Sequence, residues 1–239
     1  TGIIVTQEAY HGNTDLVSGF SPSIGMGQEL SPDCGILPTP DTHIHGDELI
    51  ADFMVAKLRE QIDIMESRGI KFAGLLVDSI FSSDGIFPGK AGWLAKLADA
   101  VHKAGGVYIA DEVQPGFNRT GESFWGFGRH GFTPDIVTMG KPMANGIACS
   151  ATAVRHEILD AFTSKIPYFN TFAGNPVAMA AAKATLEVMD DEDLMGNANC
   201  IGAMFKSQLE GLAVDHPSIA DVRGAGLYIG VEFDDPITG

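Results

Sequence analysis

The chain has 239 residues, 45% hydrophobic and 19% charged, a globular mixture that excludes disordered and fibrous architectures. Lys and Arg number 15 against 31 Asp and Glu, a net charge of −16, so nucleic-acid backbones and anionic membrane surfaces are repelled. A role on nucleic acid or on a membrane surface is therefore disfavoured, and no run of about 18 apolar residues offers a membrane span.

Residues 2–6 (GIIVT) read as a short buried strand. The opening TGIIVTQEAYHG lacks the charged and apolar regions of a signal peptide and begins without Met, as expected of a chain that starts inside a domain. A targeting signal then cannot be assessed. Residues 12–42, rich in Gly, Pro, Ser and Asp, read as a long loop of the kind that covers a site. Just after it, His43 and His45 form a His-x-His pair that a strand would place on one side, but no third ligand is apparent, so a polar loop is expected rather than a metal site. Residues 47–68 carry apolar side chains at helical spacing, from Leu49 to Met65, and Gly69 stops the helix. Residues 72–77 (FAGLLV) form a nearly continuous apolar run, as in a strand buried on both faces. Residues 88–104 follow as a helix with Pro at its start and Gly105-Gly106 past its end.

Residues 107–110, 135–139 and 147–154 are three further strands. Strands alternating with helical patterns predict an α/β fold built on a mostly parallel sheet flanked by helices. Asn175 is an N-cap with Pro176 at the first helical position, and residues 177–188 continue the helix. A second helix runs to about Leu212, a strand-like segment spans 222–233, and the chain ends on DDPITG. The division expected is a large domain over 1–188, lacking its N-terminal part, and the start of a smaller α+β domain over 189–239. Cys34, Cys149 and Cys200 are odd in number and far apart, which fits neither a zinc site nor a disulfide scaffold and points to a reducing, cytoplasmic setting.

The chemistry concentrates in residues 107–121, VYIADEVQPGFNRTG. A buried strand delivers Asp111 and Glu112 to its C-terminal end, which in an open α/β sheet faces the ligand crevice. Alternation sends Asp111 and Val113 to one face, Glu112 and Gln114 to the other. An apolar strand ending in Asp-Glu also resembles the magnesium-holding strand of a nucleoside triphosphatase, which needs a phosphate loop GxxxxGK followed by Ser or Thr. Gly89-Lys90 would require Gly at 84 and Ser or Thr at 91, where the chain has Asp84 and Ala91. Gly140-Lys141 fails likewise at Asp135 and Pro142. The other reading sets Asp111 beside Lys141, an amine at the end of the DIVTMG strand, as a Schiff-base enzyme requires. Pro142 disfavours helical geometry at Lys141 and predicts an extended or turn segment there.

ADEVQPGFNRTG, then MGKPMANG, then NTFAGNPVA, with TQEAYHGNT at the front, resemble the class III aminotransferases, pyridoxal-phosphate enzymes of fold type I. The resemblance covers about residues 3–233. It implies that Lys141 forms the Schiff base with pyridoxal 5′-phosphate and shuttles the proton at the substrate α-carbon. It further implies that Asp111 pairs with the pyridine nitrogen, Val113 and Tyr10 pack on the two ring faces, and Gln114 bonds the phenolic oxygen. Thr171 would reach the cofactor phosphate of a neighbouring subunit, hence a homodimer. His11, beside Tyr10, is equally an active-site contact or a loop hydrogen bond. Many members carry Glu-Pro where this chain has Asp78-Ser79, and Asp78 could still orient a substrate-binding group or an arginine. The family's Gly/Ser-rich phosphate cup and C-terminal arginine do not occur, so the chain reads as the middle and rear of a longer enzyme. The activity implied is transfer of an amino group from an amine or amino acid to a 2-oxo acid. A lyase, such as an amino-phospholyase, or an aminomutase on the same scaffold is the near alternative; a nucleoside triphosphatase and a non-catalytic fragment are the distant ones.

Overall fold

In the computed structural model the described residues are 1–234 apart from 26 and 28. The elements run β1 (Gly2–Thr6), α1 (Asp15–Ser18), β2 (Cys34–Leu37), α2 (Thr42–His45), α3 (Ile50–Ser67), β3 (Phe72–Asp78), α4 (Trp93–Lys103), β4 (Val107–Asp111), β5 (Ile136–Met139), β6 (Ala151–Val154), α5 (His156–Thr163), α6 (Pro176–Asp191), α7 (Leu194–Asp215), β7 (Ile219–Ala225) and β8 (Tyr228–Phe233). Short 3-10 turns cover Pro22–Ile24, Gly126–His130 and Lys141–Ala144. Strands β2-β1-β3-β4-β5-β6 form one sheet, parallel except for the edge strand β6, which runs antiparallel to β5, and β7-β8 form a separate antiparallel pair. This is the α/β architecture expected.

The sheet is held by the apolar runs that predicted it. Ile4, Leu75, Val77, Tyr108 and Ala110 pack with Met54, Leu58, Ile62 and Met65 of α3 and Leu94, Leu97 and Val101 of α4. Each fully buried aliphatic side chain in this layer contributes about 1.5–3 kcal/mol. Asp135, just before β5, ties β4 and β5 to their neighbours. Its carboxylate accepts from Tyr108 N at 2.8 Å, meets His102 Nε2 at 2.7 Å, and lies 3.0 Å from Arg155 Nε. The N-cap at Asn175 forms as expected, with the side-chain oxygen accepting from Ala178 N and Pro176 opening α6.

Four expectations are corrected. The 12–42 loop contains β2, a four-residue strand that pairs in parallel with β1; bounded by Pro32 and Pro38, it is too short to show a period. Helix α4 begins at Trp93, not at Pro88, because Gly89 and Gly92 adopt φ of 57° and 94°, outside helical space. Strand β6 starts at Ala151 and runs antiparallel to β5, since the connection from Met139 is too short for a parallel crossover. The 222–233 segment is two strands. Gly226, at φ 54°, reverses the chain so that Ala225 pairs with Tyr228. The last residues of the DDPITG tail lie outside the described residues.

Candidate active site

Parallel β3, β4 and β5 end side by side, so their carboxyl ends present Asp78, Asp111 and the residues after Met139 along one edge. Asp78 pairs in register with Asp111, and Asp111 with Thr138. Three residues beyond Thr138 comes Lys141, so Asp111 and Lys141 leave neighbouring strands at the same edge. The two faces of β4 separate its carboxylates as alternation requires. Asp111 Oδ1 accepts from Val113 N at 3.1 Å and Oδ2 lies 2.8 Å from His11 Nδ1. Glu112, fully buried, turns the other way and accepts from Gly126 N at 2.6 Å, Phe127 N at 3.0 Å and Ser79 Oγ at 2.5 Å.

Burial pushes the Glu112 carboxyl up to about 7, against the pull of its three donors. Burial likewise lifts Asp78 to about 6, with the Asp111 charge adding a smaller push. Both sit above the unfolded range of about 4, so the stability they carry is complete below that range and is lost as pH rises through about 6 and then about 7. The thermal midpoint should therefore fall over that interval. Glu112→Ala should flatten the upper part of the slope while costing about 3 kcal/mol, because buried donors lose their acceptor. Thermal melts across pH check both; an unchanged slope in the variant would contradict the assignment to Glu112.

Lys141 opens the 3-10 turn after β5 with φ 37°, and among the described residues its ammonium has no hydrogen-bond or ion-pair partner. A non-glycine residue in the left-handed region costs about 1 kcal/mol or more and concentrates at functional positions. The turn expected from Pro142 is thus present. Val113 approaches this turn: a Cβ placed on Gly140 would stand 3.9 Å from Val113 Cγ2. Gln114 is half-buried on the same connection. Tyr10 lies on the loop after β1, 43% exposed, next to the buried ring of His11. The edge therefore brings together Asp111, Val113 and Lys141, with Gln114 on the connection that leaves β4 and Tyr10 on the loop after β1. Thr171 stands apart on the exposed turn that leads into α6.

Asp78 is turned to local work. Its carboxylate accepts from Ile80 N at 2.8 Å and Ser82 N at 3.1 Å, and from the Ser82 hydroxyl. It caps its own loop and pairs with no arginine among the described residues. His43 and His45 lie on α2 rather than on a strand, and His45 stacks on Phe53 at 3.8 Å. No metal-holding group of His, Cys, Asp or Glu occurs among the described residues. A groove of about 560 Å³ runs between α6, α7 and the far side of the Lys141 turn, lined by Pro142, Ala144, Ala181 and Val188 among others. Neither Asp111 nor Lys141 lines it. The chemistry is placed by the strand ends, where open α/β sheets bind ligands, and not by this hollow.

Residues 1–238 match the family model for class-III aminotransferases, and the chain belongs to that family, whose enzymes depend on pyridoxal 5′-phosphate. An alanine–glyoxylate aminotransferase 2-like protein of Drosophila melanogaster is 35% identical over 96% of this chain and 49% of its own length. An ethanolamine-phosphate phospho-lyase homolog 1 of Caenorhabditis elegans is 36% identical over 96% of this chain and 53% of its own. A solved phospholyase from Arthrobacter in complex with phosphoethanolamine superposes with a TM-score of 0.91 at 34% identity, covering 98% of this chain and 56% of that one. The chain spans about half the length of the curated relatives it matches.

Proposed function

We propose that the protein binds pyridoxal 5′-phosphate at the β3-β4-β5 edge and uses it to move an amino group from an amine or amino acid to a 2-oxo acid. The observation that carries this reading is the juxtaposition of Asp111 and Lys141 at the ends of adjacent parallel strands. The donor set fits the group: a buried carboxylate for a ring nitrogen, an amine unpartnered among the described residues for an aldehyde, and an exposed aromatic ring on the adjoining loop. When bound, the cofactor supplies an electron sink for the electrons released at the substrate carbon. Lys141 holds it through Nζ and moves the proton at the substrate α-carbon. Asp111 keeps a proton on the ring nitrogen. Val113 and Tyr10 confine the ring plane from its two faces, and the Gln114 amide donates to the phenolic oxygen.

Thr171 serves the phosphate of a second copy in this reading, which makes the working unit a homodimer. Tyr168, Phe169 and Phe172 around it are 71%, 85% and 79% exposed, an apolar surface of the kind that marks association. The chain divides near residue 188 into a cofactor-binding domain and a second, smaller unit, a division supported by the separate β7-β8 sheet.

A second reading, elimination of phosphate from an amino-alcohol phosphate, is favoured by one observation, the close superposition on the Arthrobacter phospholyase. The two differ in their need for an acceptor. With the intact protein and pyridoxal phosphate, transamination should give no sustained turnover until a 2-oxo acid is added. Release of inorganic phosphate from phosphoethanolamine without any oxo acid would replace the first reading by the second.

A further inference from the structure

The edge contains one side chain to which the reading above gives no task. His11 is 2% exposed at its side chain and Asp111 10%, and the two meet at 2.8 Å between Nδ1 and Oδ2. The loop that carries the imidazole is anchored without help from Asp111. His11 N donates to Ser21 Oγ at 3.0 Å, and that hydroxyl lies 3.1 Å from Gly12 O and 3.0 Å from Val17 O. The ring therefore approaches the carboxylate from a base fixed independently of it.

Its other nitrogen settles which way the hydrogen bond runs. His11 Nε2 is buried and has no partner among the described residues. A proton there instead of on Nδ1 would be an orphaned donor and would set the bare Nδ1 lone pair against the Asp111 oxygen, whereas a bare Nε2 leaves only an unmet acceptor. The proton belongs on Nδ1, which donates to Asp111 Oδ2. Both Asp111 oxygens then accept from the protein, one from Val113 N and one from His11, so the carboxylate has a single orientation beside Asp78, the like group paired with it in register.

We infer that His11 is a positioning residue for the cofactor site: through its Nδ1–H it fixes the Asp111 carboxylate as an oriented anion for the ring nitrogen of pyridoxal phosphate. The inference rests on the cofactor reading above and adds to it a residue that touches neither cofactor nor substrate. His11→Leu fills a similar volume without a donor, while His11→Asn retains an N–H close to the Nδ1 position.

The test has two parts. In the cofactor-free intact protein, nitrogen NMR of the imidazoles should find His11 protonated on Nδ1 and bare on Nε2, and this readout needs no variant to fold. In the protein loaded with pyridoxal phosphate, His11→Leu should lower kcat about 10- to 100-fold with little change in KM, the range lost when an outer partner stops orienting a functional group. It should also alter the visible cofactor band. His11→Asn should restore most of both. A proton on Nε2, or a Leu variant that matches wild type in kcat and spectrum, overturns the assignment, as does an Asn variant no better than Leu. A wild-type protein that forms no cofactor band overturns the cofactor reading itself, while the nitrogen spectrum still reports whether His11 donates to Asp111.

Discussion

Replacing Lys141 by Ala should abolish the visible absorbance of the protein loaded with pyridoxal phosphate, a band expected near about 410–430 nm for a lysine-bound cofactor. Turnover should fall by at least about 10³-fold. Loss of a positioned general acid–base alone costs about 10²- to 10⁴-fold, and the covalent hold on the cofactor disappears with it. Stability should hardly move, because the ammonium is unpartnered among the described residues and the side chain is exposed. Lys141→Gly refines the point: at φ 37° a glycine relieves the backbone, so this variant should melt at or slightly above the Ala variant while being equally inactive. A small primary amine added to Lys141→Ala should restore part of the activity by supplying the missing base. Absorbance, melting and single-turnover measurements on the three proteins check these outcomes together. A variant that keeps its band would remove Lys141 from the site and with it the main support for the proposed chemistry.

The placement of this lysine was legible in the sequence because its determinants are local. An apolar run, Gly140 and Pro142 within a few residues specify a strand that ends in a turn, and the structure has that turn. The Asn175-Pro176 cap was legible for the same reason, as the side chain that caps α6 is three residues from the amide it serves. Where the outcome depended on distant pairing, the sequence was silent. Strand β2 exists because Ile36 and its neighbours hydrogen-bond to β1, and nothing in a four-residue strand flanked by prolines announces that. The direction of β6 follows from a connection length and not from its composition. Asp78 looked free to serve a substrate, yet its carboxylate is taken up by amides two and four residues on, a choice made by the loop's geometry. His11 is the sharpest case. Its partner Asp111 is 100 residues away, so adjacency to Tyr10 was the only hint. The strand-end placement of Asp111 and Lys141 could be read from the chain, whereas the contact between His11 and Asp111 needed the fold.

Asp111→Asn separates binding from chemistry. The amide preserves size and can accept from Val113 N or from His11 Nδ1, so the local fold should persist and the cofactor should bind with less than about a tenfold change in affinity. Its effect lies in charge. A carboxylate holds a proton on a ring nitrogen, a neutral amide does not, and only the protonated ring draws electrons strongly from the substrate carbon. A hydrogen bond to a charged group is worth about 1.5–3 kcal/mol net, and it counts for more as charge develops in a site with little water. At about 1.4 kcal/mol for each tenfold in rate, kcat should fall about 10²-fold or more. The loss should appear in kcat and in the step that breaks the substrate C–H bond, visible as a larger deuterium isotope effect on a substrate labelled at that carbon. Equal losses in kcat and cofactor affinity would instead make Asp111 an anchor. With the first outcome, the same carboxylate becomes the point at which His11 acts: in an Asp111→Asn background the further substitution His11→Leu should cost little, because the group it orients no longer carries the charge that mattered.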